Sequence, residues 1–177
     1  MSPTSRQRRS DVINLSFVVL AGAAFGYVEA AVVYYLRNLM NFHKNYPLTH
    51  YKVLLNLGFI TFISPRRSLL VSSHITHVEE VRELSTIVLL IAVAYLAGKN
   101  PTQRLAAFLI SFACWDIMYY VFLKIIDNWP SSFMTKDVFF LIPVTWIGPV
   151  VTPLVISTVM LLFGARLYVR SSTDTWR

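Results

Sequence analysis

Glu29, Glu83 and Asp116 are carboxylates set inside long stretches of otherwise apolar sequence. An ionisable group at membrane depth is costly and turns toward a bundle interior or an aqueous cavity, where it meets a proton, a cation or an opposite charge. Their heights follow from the rise of an α-helix. Glu29 lies about 24 Å beyond Ile13, Asp116 about 20 Å beyond Gln103, and Glu83 about 22 Å from Gly98 on a helix running the other way. Alternating crossings therefore bring the three carboxylates to one level. Three carboxylates in a low dielectric do not all stay ionised without a counter-charge, so the pattern calls for retained protons or a bound cation.

Neighbouring residues support such a centre. Gly22 and Gly26 form a GxxxG pair, which lets a second helix approach closely, and Glu29 follows three residues later on the same face. Tyr119 and Tyr120 stand three and four residues after Asp116, within reach as hydrogen-bond donors. Thr152 falls at a comparable height on the last apolar stretch. An all-oxygen cluster suits a proton or a hard cation better than copper. Recruiting His74, His77 and Glu80 beside Glu83 would admit zinc or iron, although that stripe winds around its helix. No cofactor is required by the sequence. The structural alternative is that Glu29 pairs with Arg37, Arg82 or Lys124 of a neighbouring helix, while Glu79 and Glu80 serve a helix N-terminus.

The elements that must position these groups are long and apolar. The chain has 177 residues, 55% hydrophobic and 14% charged, where soluble domains carry roughly 25% charged residues. The expected fold class is all-α: a polytopic membrane bundle forming a single domain, with four main transmembrane helices over about 13–36, 78–98, 103–126 and 149–168. A basic tail (1–12) precedes them and a polar tail (171–177) follows. The first apolar run is longer than the apolar core of a signal peptide and reads as a retained span. Thr76 to Glu79 has the form of a capping box opening the second helix. Gly98 ends that helix, and Asn100-Pro101 is a cap followed by proline at the first position of the third. Two shorter apolar segments, 51–63 and 138–147, read as interfacial or re-entrant because neither is long enough to cross as a helix.

Four crossings divide the basic residues evenly, eight to a side. Those on the side of the termini lie in shorter stretches near helix ends, which places both termini in the cytoplasm of a cell whose inner membrane holds the protein. The net charge of +7 is distributed at the ends of apolar segments, a pattern of lipid contact rather than nucleic acid binding. Cys114 is the lone cysteine, so neither a disulfide within the chain nor a CxxC metal or redox motif exists.

The elements Trp115-Asp-Ile-Met-Tyr-Tyr120 and Phe139-Phe-Leu-Ile-Pro-Val-Thr-Trp-Ile-Gly-Pro149, with the segment from Gly26 to Arg37, resemble a family of small, uncharacterised bacterial membrane proteins carrying WDxxYY and FLIPxxWxGP elements. The resemblance implies the membrane class and supplies no mechanism. Nucleophile-elbow, phosphate-loop, dinucleotide and HExxH motifs are absent. Three functions fit what is present. One is a non-catalytic accessory or structural subunit of a larger membrane assembly, with a protein partner or a second copy of itself. The second is a small proton- or cation-coupled carrier using Glu29 and Asp116. The third is a membrane-embedded metal-dependent enzyme acting on a lipid or quinone.

Overall fold

Helix ends fall where the chain carries residues able to satisfy or replace backbone hydrogen bonds. A computed structural model describes residues 3–39, 51–65 and 73–174. In chain order these form α1 (Pro3–Leu39), β1 (Tyr51–Asn56), β2 (Thr61–Pro65), α2 (Ser73–Ala97), α3 (Pro101–Asp127), β3 (Lys136–Phe140), β4 (Thr145–Pro149) and α4 (Val151–Asp174). The side chain of Asn100 accepts the Gln103 N–H at 2.8 Å, capping α3. Asn128, at φ 51°, closes that helix in the left-handed conformation. Only residues 98–100 separate α2 from α3, so the two run antiparallel as a hairpin.

The fold is not purely all-α. The segments at 51–63 and 138–147 form β-hairpins in one antiparallel sheet of order β1-β2-β4-β3. β2 pairs with β4 through Thr61–Ile147, Phe62–Trp146 and Ile63–Thr145, which joins the two hairpins. Both segments were too short to cross as helices, and their aromatic and β-branched residues suit a pleated surface. Asn56 accepts the Gly58 N–H at 2.8 Å, and Gly58 at φ +85° makes the first turn. Backbone groups that could not be satisfied alone are satisfied by each other across the sheet.

Three helices are long and apolar enough to cross a membrane: Arg9–Leu39, Pro101–Asp127 and Val151–Ser171. Helix α2 has the length, 25 residues, but Glu79, Glu80, Arg82 and Glu83 leave an uncharged run only over 84–97, about 21 Å. It also begins five residues before the expected start. Thr76 and Glu79 therefore lie within its first two turns and form no capping box. Similarly, α4 starts at Val151, because Pro149 pairs with Lys136 in the sheet. The basic residues Lys44, Arg66 and Arg67 lie outside the described residues.

Helix α3 is the hub, packed against α1, α2 and α4. A Cβ added at Gly22 would fall 2.6 Å from the Ser111 carbonyl oxygen, and one at Gly26 would fall 2.7 Å from that of Trp115. The GxxxG pair is thus the seam on which α1 meets α3. Two buried apolar clusters bracket the middle of α3. Val18, Ala94, Ala106, Ala107, Ile110 and Tyr168 form one, away from the sheet. Ala30, Val33, Tyr120, Leu123, Trp129 and Val150 form the other, beneath it. Polar side chains occupy the gap between them.

Candidate functional site

Glu29 is ten residues from the sheet-side end of α1, Glu83 ten from that of α2, and Asp116 eleven from that of α3. At the rise of an α-helix these are depths of about 15–17 Å. The three carboxylates line one cavity of about 60 Å³, together with Tyr119 and Tyr120 of α3 and Asp137, Val138 and Phe139 of β3. The sheet therefore roofs the site. A volume of that size accommodates water or a bare cation.

The acids around the cavity fall into two groups. Arg82 donates from Nη1 to Glu29 Oε2 at 2.5 Å and from Nε to Glu79 Oε2 at 2.6 Å. This triad spans α1 and α2, with Glu79 buried, and each charge-assisted bond compensates the desolvation of its partners. Glu79 is thus a bridging residue rather than a helix cap. The second group is held by neutral donors. Glu83 accepts the Leu141 backbone N–H at 2.9 Å. Asp116 accepts the Ser157 hydroxyl at 2.7 Å, and among the described residues neither carboxylate forms an ion pair. Asp137 accepts the Tyr120 hydroxyl at 2.9 Å.

Asp137 lies on β3, outside the helices, and only 3% of its surface is exposed. Burial pushes its carboxyl up to about 6, against the opposing pull of the Arg37 charge, the Tyr120 hydroxyl, the Val138 N–H and the Tyr119 hydroxyl. Altogether five carboxylates (Glu29, Glu79, Glu83, Asp116 and Asp137) face one guanidinium, that of Arg82, across the lining. The indole N–H of Trp115, which also lines the cavity, is buried and has no acceptor among the described residues. It is a donor suited to an oxygen ligand.

Other expected site residues lie elsewhere. Thr152 sits on the first turn of α4 and donates to the Phe59 carbonyl at 3.0 Å. It ties α4 to the sheet and does not line the cavity, because α4 starts later than expected. His77 Nδ1 is 3.4 Å from Glu80 Oε2 on an exposed part of α2. His74 is likewise exposed, while Glu83 turns inward to Leu141, so the stripe His74, His77, Glu80, Glu83 does not converge. Among the described residues, no group of three or more His, Cys, Asp or Glu is arranged to hold a metal ion.

Sequence reasoning missed Asp137, Ser157 and Trp115. For Asp137 the local signal was slight: an acid leading the apolar run Val138-Phe139-Phe140. No protein-family model matches the chain, and no curated protein or solved structure is significantly similar to it. The function must therefore be argued from the site.

Proposed function

We propose that the chain is a four-span membrane protein that binds and exchanges protons at this cavity, acting as a small proton-coupled carrier. One observation carries the reading: five carboxylates against a single guanidinium line one small cavity. Arg82 is already committed to Glu29 and Glu79. The exchangeable groups are thus Asp116 and Glu83, whose partners Ser157 and Leu141 bring no charge, with Asp137 at the sheet end. Glu29 becomes a positioning group for Arg82. Crossing by α2 is part of the proposal, since the triad offsets the charges of its first half. Both termini then lie on the cytoplasmic side and the sheet on the other.

The test is proton uptake into liposomes holding the purified protein, followed with a trapped pH-sensitive dye. Asp116→Asn should abolish uptake while leaving the melting temperature close to that of the wild type. Uptake unchanged in Asp116→Asn and in Glu83→Gln would end the reading.

A second reading, a subunit of a larger membrane assembly, draws on a separate observation. Every residue of β1 is exposed, and Val53, Leu54 and Leu55 are about half exposed on the outer edge of the sheet. An apolar edge strand is a ready pairing surface. Stoichiometric co-purification of a second protein in mild detergent, lost in Leu54→Lys, supports this reading. A lone monomer counts against it.

A further inference from the structure

Beside the acidic cavity lies a much larger groove of about 450 Å³ between α3, the start of α4 and the connection leading to β3. Its walls are apolar: Ile117, Val121 and Ile125 on α3, Phe133 on the connection, and Val150 with Leu154 at α4. Ile117, Tyr120, Val121, Lys124 and Ile125 follow the i, i+3, i+4, i+7, i+8 spacing of a single helix face. Lys124 is on the last turn, and Ile117 lies two turns deeper, about 10 Å along the axis. Ser131 and Ser132 also line the groove, four and five residues past the end of α3. The groove thus has a polar mouth at the sheet-side end of the spans and an apolar floor running toward the bilayer centre.

The charge at the mouth is the informative part. Lys124 Nζ donates to the carbonyls of Pro130 at 3.0 Å and Asn128 at 3.4 Å, and among the described residues no carboxylate forms an ion pair with it. Asp127, three residues on, is bonded to Arg37 instead. The walls are continuous with apolar surface on the outside of the bundle, where Val121 is 40%, Val155 56% and Ile125 70% exposed. An ammonium over an apolar slot on a lipid-facing surface matches a phosphate carried on an acyl chain.

We propose that this groove binds one anionic phospholipid of the surrounding bilayer, with an acyl chain between α3 and α4 and the headgroup phosphate at Lys124. Ser131 and Ser132 complete the polar mouth. Tyr120 lines both the groove and the acidic cavity and so separates them. Lipid binding is therefore testable apart from proton uptake.

Native mass spectrometry of the full chain, released from detergent after titration with dioleoyl phosphatidylglycerol or dioleoyl phosphatidylcholine, reads the affinities directly. The wild type should take up one phosphatidylglycerol about fivefold more tightly than phosphatidylcholine, equivalent to the ~1 kcal/mol that one ammonium contributes near an anionic lipid surface. Lys124→Gln should lose that preference, and Lys124→Arg should keep it. Val121→Trp fills the groove at a partly exposed position and should weaken both lipids alike. No headgroup preference in the wild type overturns the proposal. So does a preference that survives Lys124→Gln, or equal lipid uptake by Val121→Trp.

Discussion

Each end of the bundle holds one simple ion pair between α1 and the α3 end. Lys99 Nζ meets Asp11 at 2.5 Å, tying the turn between α2 and α3 to α1. Arg37 meets Asp127 at 3.1 Å, and its guanidinium lies 4.0 Å from the centre of the Trp129 ring. These contacts staple α1 to the two ends of α3. Between them the balance breaks, with five carboxylates and one guanidinium lining the cavity. The same residue types thus do different work at different depths. Near an end, water screens a leftover charge, so a simple pair suffices. In the middle, a surplus carboxylate must keep a proton, recruit a cation or be bonded by neutral donors.

Substitutions that break this contrast differ in size. Arg82→Met leaves Glu29 and Glu79 buried without a counter-charge and should cost about 3–5 kcal/mol, read as a fall in melting temperature in detergent. Adding Glu29→Gln and Glu79→Gln to it should restore most of the loss, because the three groups act as a unit. If the triple variant melts no higher than Arg82→Met, the triad is not what holds α1 to α2.

Asp137 yields the next effect, and its sign is fixed by the direction of the shift. Its folded value of about 6 lies above the ordinary 3.8. Below pH 4 the carboxyl is protonated in both states and costs nothing. Between pH 4 and 6 the folded state keeps a proton that the unfolded chain has released, so stability falls as pH rises. Above pH 6 the penalty is complete, on the order of 3 kcal/mol. Asp137→Asn removes it, so the melting temperature of the wild type relative to the variant should drop between pH 4.5 and 7. A difference that stays constant over this range contradicts the assignment.

The smallest effect belongs to an end staple. Lys99 is 42% exposed, so Lys99→Gln should cost no more than about 1 kcal/mol, and less at high salt. A cost comparable to that of Arg82→Met would erase the distinction between ends and middle.

Composition and apolar run length were enough to place α1, α3 and α4 as membrane-length helices, since a bilayer demands long uncharged segments whatever their neighbours. Asn100-Pro101 and the GxxxG pair were legible because caps and helix seams are local or periodic. The shared level of Glu29, Glu83 and Asp116 rests only on alternation and a fixed rise per residue. The sheet was not legible: a short apolar run reads equally as strand or helix fragment until its pairing partner is known, and β2 pairs with β4 across more than 80 residues. For the same reason Asp137 and Ser157 join the site only in three dimensions. Glu79 and Arg82 stand three residues apart on one helix face, but the choice of Arg82 over Arg37 or Lys124 as the partner of Glu29 is decided by side-chain geometry between packed helices.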